Sequence, residues 1–207
     1  MMLINPYANA ASFNCQPIQT SQLIFGTGSS NQFEVPFYGL RVYGESANIL
    51  RQTTIGSKKQ IYRVGWFFSG FTVPPTYTFN NVQIWMAHTT NNEFPSNVSV
   101  GYSTMNIKDL TKVYEGSWSV SANNQWVYAP MQQNFCYNGV DNLLIIAKNL
   151  NGNTNYISFG STKYSSLTTA PVGSRFRMAY VAQDASYPAN GTLMTRQQRV
   201  SNIQLWW

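Results

Sequence analysis

The sequence predicts an all-β fold, an antiparallel β-sandwich of jelly-roll type that carries an extended N-terminal arm. Three observations support this fold: alternating apolar and polar segments recur at short spacing, turn residues separate them, and helical periodicity is nearly absent. The composition agrees, because Asn supplies 22 of the 207 residues whereas charged residues make up only 10%. With 43% hydrophobic residues, the chain is too apolar for a disordered protein and is typical of a turn-rich β domain.

The predicted strands are segments in which apolar and polar residues alternate, as expected for strands with one buried face. In the clearest segment, residues 82–88, four side chains that include Ile84 and His88 share one face, and Trp85 lies on the other. Asn-Gly, Pro-Pro and Gly-Ser pairs between the segments supply the turns, so about ten short strands are predicted. The further strand segments are 61–68, 112–114, 118–120, 126–128, 175–181 and 203–206.

Two segments depart from the strand pattern. Residues 106–110 begin with Asn and predict a single capped helical turn. Residues 1–22 are rich in Asn, Ala and Gln and show no clear period, so they predict an extended arm. The remaining residues, 23–207, then form one β-sandwich domain, which fits the length expected of a single core.

The sequence lacks the pattern of a membrane span or a secretory signal. Its longest apolar runs, such as residues 143–147, are far shorter than the roughly 18 residues that cross a bilayer. The N-terminal residues have neither a basic flank nor a long apolar stretch, so export by a signal peptide is not expected.

Charge and cysteine content limit the classes of partner. The net charge of +6 comes from scattered residues, and Lys58-Lys59 is the only adjacent basic pair, so no nucleic-acid partner is predicted. Cys15 and Cys136 are far apart and form no C-x-x-C motif. Because a domain of this size does not need disulfides to fold, two free and mostly buried thiols are expected, with a single bridge as the alternative.

The sequence offers little from which to build an active site. His88 is the only histidine, no G-x-S-x-G turn accompanies it, and it is expected to bond to loop backbone at a strand end. The seven acidic residues could supply a glycosidase pair, but Glu115 and Asp141 lie in turn-like contexts. With two Cys and one His, the sequence has too few ligands for a zinc site. Residues 149–155 are all neutral, so they predict a hairpin turn better than a calcium loop. We therefore expect no enzyme activity, cofactor or metal.

Aromatic residues are the strongest candidates for binding. Six Trp and 13 Tyr could provide a sugar-stacking platform on one face of a sandwich. Trp85 can be exposed, since it lies opposite the predicted core face of its strand. The terminal Trp206-Trp207 pair is expected to anchor against the same or a neighbouring subunit. The candidate residues for contact with a glycan or a partner are Trp85, Trp118, Trp206 and Trp207.

Several segments together resemble β-sandwich domains of Bacteroidetes extracellular proteins. Residues 81–94, NVQIWMAHTTNNEF, carry the likeness, and residues 110–117, LTKVYEGS, are similar to the strand that follows in those domains. Residues 135–145, FCYNGVDNLLI, match a third motif. The resemblance covers roughly residues 25–182. It implies a non-catalytic jelly roll and carries over no site residue.

The resemblance also implies a biological setting. Phages of Bacteroidetes hosts, including the crAss-like group, are expected to carry similar domains in virion proteins, which assemble in the host cytoplasm without a signal peptide. We therefore predict a structural virion protein, a capsid decoration or a fibre- or tail-associated component. Its partners would be other virion proteins and copies of itself, with host surface glycan as a further ligand. The alternative is a carbohydrate-binding module of a bacterial cell-surface or secreted protein.

Overall fold

A computed structural model describes residues 15, 20–28, 30–32, 36, 41–68, 76–121, 124–150 and 162–207. In these ranges the chain forms an antiparallel all-β sandwich, which confirms the predicted fold class. Within them, no helix is long and apolar enough to cross a membrane. The elements in chain order are β1 (Gln22–Phe25), β2 (Ser30–Gln32), β3 (Tyr43–Leu50), α1 (Gln52–Ile55), β4 (Lys59–Ile61), β5 (Arg63–Phe68), β6 (Thr76–Thr89), β7 (Ile107–Ser121), β8 (Gln125–Tyr128), β9 (Phe135–Tyr137), β10 (Asn142–Asn149), β11 (Thr162–Ser166), β12 (Met178–Gln183), β13 (Thr195–Gln197), β14 (Arg199–Ser201) and β15 (Ile203–Trp206).

Two large sheets form the layers of the sandwich. One has six strands in the order β13-β12-β3-β10-β6-β7. The other has seven, with the order β1-β15-β5-β11-β14, and β2 and β8 pair with β11 and β5. A small third sheet joins β4 to β9. Since sequence-distant strands are neighbours in both large sheets, side chains from opposite ends of the chain meet on the same surface.

The main core fills the space between the two large sheets. The inner face of the six-stranded sheet contributes Ile84, Met86 and Leu143, and the seven-stranded sheet contributes Trp66 and Leu205, all of them 1% exposed or less. Ile84 and Met86 reach this core because residues 82–88 alternate as predicted, so that every second side chain of this part of β6 points inward.

A second apolar cluster covers part of the opposite, outer face of the six-stranded sheet. Ala47, Ile49 and Leu144 on that face pack with Phe94 and Val98 from the loop that joins β6 to β7. Strands β3 and β10 are therefore buried on both faces, which explains why β10 carries a continuous apolar run, Leu143 to Ala147, without alternation.

The predicted helical turn at residues 106–110 is wrong, because Ile107 begins β7. The pairing of β7 with β6 is irregular there, with a register shift between Met86 and His88. Asp109 takes a left-handed backbone conformation, with φ of 53°. Because the strand is irregular at Asp109, the sequence here lacks the alternation of apolar and polar residues by which a strand is identified. The Asn at the start of residues 106–110 then resembles the cap of a helix.

The expectation of two free, buried thiols is also wrong. Cys15 and Cys136 form a disulfide, with Cα atoms 5.6 Å apart, and both residues are half-buried. The bond joins the N-terminal segment to β9. Of the predicted arm, residues 1–14 and 16–19 lie outside the described residues, and the boundary at residue 22 stays a prediction. The Ser21 N–H donates to the Trp207 carbonyl, and β1 pairs with β15 directly afterwards.

Gly139 is expected to tolerate no side chain. Its φ of +76° is left-handed, and a Cβ at this position would lie 2.3 Å from the backbone N of Lys58. We expect Gly139→Ala to lower the free energy of unfolding by roughly 2–3 kcal/mol in urea denaturation, because backbone strain and overpacking add. Gly191 is the matched control, with φ of +89° and no heavy atom within 4 Å of such a Cβ. Gly191→Ala should cost only the backbone strain, about 1 kcal/mol, and an equal loss in both variants would contradict the close approach.

Candidate functional site

The candidate site lies on the part of the outer face of the six-stranded sheet that is polar, which we call the outer polar face. Its frame is a row of four residues on adjacent strands, in which Glu115 pairs with Gln83, Gln83 with Lys148, and Lys148 with Glu45. Trp85 lies two positions along β6 from Gln83 and therefore shares this face. Strand pairing thus places two carboxylates, an amide, an ammonium and an indole on one face of the sheet.

Trp85 is partly buried against the second apolar cluster and retains an exposed portion. Its indole N–H donates to the Gln83 side-chain oxygen at 3.1 Å, which fixes the ring orientation. The ammonium groups of Lys112 and Lys148 lie 5.5 and 6.0 Å from the ring centroid. The ring is consequently held in place, and two ammonium groups lie over it.

Glu115 and Lys112 complete the edge of the outer polar face on β7. The Glu115 carboxylate accepts from Gln83 Nε2 at 2.8 Å and forms an ion pair with Lys112. The hydrogen bonds from Lys112 and Gln83 lower the pKa of Glu115 below its usual range. Glu115 is therefore an ionised hydrogen-bond acceptor at neutral pH, and its side chain is 46% exposed.

Glu45 is the buried carboxylate at the other end of the row. It lies 3.3 Å from Lys148 Nζ and accepts a hydrogen bond from the Tyr187 hydroxyl, and its side chain has no exposed surface. Burial, followed by the Glu45 charge, raises the pKa of both Tyr187 and Tyr102 well above the usual value. The two tyrosines stay neutral and Lys148 is held in place over the sheet.

The other three predicted tryptophans lie elsewhere. Trp118 is 2% exposed in the main core, and its indole N–H donates to the Tyr128 carbonyl at 3.1 Å. Trp206 and Trp207 are half-buried at the end of β15, and Trp207 packs against the main core of its own chain. Trp118 is therefore closed to a ligand, whereas the anchoring role of Trp206 and Trp207 stays a prediction.

His88 has the structural role predicted from the sequence. It is 3% exposed, its Nε2 accepts the Asn138 backbone N–H at 3.0 Å, and its Nδ1 lies 3.0 Å from the Asp109 carboxylate. Because Nε2 accepts, Nδ1 carries the proton and donates to Asp109. In the described ranges, no group of three or more His, Cys, Asp or Glu residues could hold a metal ion.

Sequence reasoning identified Trp85 but missed Glu45, Lys148 and Tyr187. Glu45 lies in β3, which is buried on both faces and mixes polar with apolar residues, so no strand period is visible in its sequence. Lys148 follows five consecutive apolar residues in β10, and this single charge at the end of a buried run was the one available signal. Tyr187 lies outside the strands, so only the folded chain brings it to Glu45.

The comparisons with known proteins are sparse. Neither a protein-family model nor a curated protein matches the chain. Among solved structures, the chain is similar to the cysteine protease and lectin-like domains of Cwp84, a surface layer associated protein of Clostridium difficile, with a TM-score of 0.42 and 9% identity. The alignment covers 89% of this chain and 35% of that chain. A likeness of this degree carries no argument about function. None of these findings supports the virion role, which stays a prediction.

Proposed function

We propose that the protein is a carbohydrate-binding β-sandwich module and that the outer polar face is its binding surface. One observation carries the proposal: a partly exposed tryptophan lies beside a fixed row of carboxylate, amide and ammonium groups on a rigid sheet. Sugars present an apolar face of C–H groups and a rim of hydroxyls, so they are recognised by an aromatic ring together with hydrogen-bonding groups at its border.

The chemistry of each residue fits this role. The Trp85 ring would stack against the apolar face of a pyranose. Glu115 and Gln83 would accept and donate hydrogen bonds at the hydroxyl rim, with Lys148 as a further donor on the other side of the ring. Because these groups are already held by one another, binding would order few additional side chains, which favours affinity at a shallow site.

We also propose that the site binds its ligand without a reaction. The two carboxylates of the row are committed to partners, Glu115 to Lys112 and Gln83, and Glu45 to Lys148 and Tyr187. A retaining or inverting glycosidase needs one carboxyl with a raised pKa as general acid, whereas the pKa of Glu115 is lowered. The disulfide suits a protein that folds in an oxidising compartment, so we place the module at a cell surface or outside the cell.

The test is binding to a glycan array, followed by calorimetry with the best ligand. Trp85→Ala is expected to weaken that binding roughly tenfold or more, because stacking and apolar burial at the ring are both lost. Circular dichroism checks that the variant remains folded, since Trp85 also touches the second apolar cluster.

Trp126→Ala is the matched control. Trp126 is also partly exposed, but it lies on the outer face of the seven-stranded sheet, edge-on to Phe67 at a ring distance of 5.5 Å. The Trp126→Ala variant should bind the glycan as tightly as the wild type does. Loss of binding in the Trp126 variant with retention in the Trp85 variant would move the site to the other sheet, and the absence of any glycan ligand would refute the proposal.

A further inference from the structure

Two arginines lie together on the outer face of the six-stranded sheet, at the end opposite to Glu45. Arg51 directly follows β3, and Arg177 directly precedes β12. The Ile49 N–H donates to the Arg177 carbonyl at 2.9 Å, so the antiparallel pairing of β3 and β12 continues to this point. Arg51 is two positions beyond Ile49, and the two guanidinium groups therefore project from the same face on neighbouring strands.

Neither guanidinium is neutralised by the described part of the chain. The Nε atoms of both Arg51 and Arg177 are buried and make no hydrogen bond there, and neither residue takes part in an ion pair. On the neighbouring loop, Oε2 of Glu93 accepts the backbone N–H groups of Arg175 and Phe176 at 2.9 and 3.3 Å, and Glu93 forms no ion pair with Arg51 or Arg177. Burial, and then the charge of Arg51, lower the pKa of Arg177.

An open cleft of about 240 Å³ adjoins Arg51. Its polar lining consists largely of hydrogen-bonding amides and hydroxyls. The one carboxylate, that of Asp141, already accepts from Asn138 Nδ2 at 2.9 Å and lies 3.7 Å from Lys108 Nζ. The uncharged polar residues that line the cleft are Gln52, Thr53, Thr90, Asn92 and Asn142.

We propose that Arg51 and Arg177 form a binding site for an oxyanion, namely a carboxylate, sulfate or phosphate group. Two partly buried cations side by side repel each other and lose hydration, a cost that a bound anion removes. The guanidinium fork matches a planar or tetrahedral oxyanion with paired hydrogen bonds, and no acidic side chain of the described residues forms an ion pair with either guanidinium. The site is separate from the outer polar face and is independent of the proposed sugar binding.

The test is a titration of the full chain with sodium sulfate, sodium phosphate and sodium glucuronate, each against sodium chloride at equal ionic strength. An anion that binds only the folded protein raises the melting temperature and the effect saturates, whereas the general salting effect of sulfate does not. In parallel, NMR follows the Arg Nε–H signals, and two of them should shift with the same dissociation constant. Saturation by sulfate and phosphate identifies an inorganic anion as ligand, and saturation by glucuronate alone identifies an acidic sugar.

Arg51→Gln and Arg177→Gln are each expected to weaken the saturable binding at least tenfold. Arg63→Gln removes the same charge from the seven-stranded sheet, where Arg63 stacks over Tyr128 at 4.0 Å, and should leave binding unchanged. Without added anion, Arg177→Gln should melt no lower than the wild type, since it relieves the repulsion. The proposal is overturned if no anion gives saturable binding, if Arg63→Gln weakens binding equally, or if Arg177→Gln melts far below the wild type without anion.

Discussion

Raising the pH from 9 to 11 is expected to lower the free energy of unfolding by up to about 4 kcal/mol, through the buried Tyr102 and Tyr137 and the partly buried Tyr187. Burial raises the pKa of Tyr137 far above its usual value, with a further contribution from the Asp141 charge. Burial and Glu45 do the same for Tyr102 and Tyr187. In the unfolded chain all three hydroxyls ionise near pH 10, so the folded state binds more protons and loses stability as the pH rises through that value.

Lys59 changes the pH dependence of stability in the opposite direction. Burial lowers the pKa of Lys59, whose ammonium donates to the Ile55 carbonyl at 2.6 Å and lies 3.8 Å from the Trp207 ring centroid. Between this lowered value and the ordinary value of 10.5, the unfolded state binds more protons, so Lys59 makes stability rise with pH. A single lysine offsets only part of the loss from three tyrosines.

Urea denaturation at pH 8, 9, 10 and 11 measures the effect, with tyrosinate absorbance recorded on the same samples. Tyr137→Phe is the informative variant, because it should remove about one third of the pH dependence while the protein remains folded. Its hydroxyl donates to the Asp141 carbonyl at 2.6 Å, so some loss of stability at neutral pH is also expected. A free energy of unfolding that is constant from pH 9 to 11 would show that these tyrosines ionise in the folded protein.

Replacing both Cys15 and Cys136 by alanine is expected to lower the free energy of unfolding by up to about 5 kcal/mol. The disulfide links residues that are 121 positions apart, so it removes much of the conformational freedom of the unfolded chain. It also ties the N-terminal segment to β9, close in sequence to His88's partner Asn138.

The measurement is urea denaturation of the double variant and of the wild type with and without reductant. Thiol titration of the unfolded wild type should find no free thiol before reduction. The reduced wild type and the double variant are expected to unfold at the same lower urea concentration. Free thiols in the untreated protein, or unfolding midpoints that reductant does not change, would contradict the bond and weaken the assignment to an oxidising compartment.

The sequence by itself determined the fold class and one residue of the candidate site. Residues 82–88 alternate because β6 has one face in the main core, and that alternation placed Trp85 on the opposite face. The deficit of charge and the abundance of Asn predicted turns in place of helices. The environment of His88 was predictable as well, because a lone histidine at a strand end has loop backbone within reach.

Only the tertiary structure decided which polar residues surround Trp85 and which cysteines pair. Glu45, Gln83, Lys148 and Glu115 come from four different strands, and register across the sheet, which is a long-range property, aligns them. Arg51 and Arg177 adjoin for the same reason. Strands that are buried on both faces lose their period, so β3 gave no local signal of Glu45, and in β10 the lysine at the end of the apolar run was the one signal available. Long-range pairing is determined by how the whole core packs, and no short window of sequence contains that information.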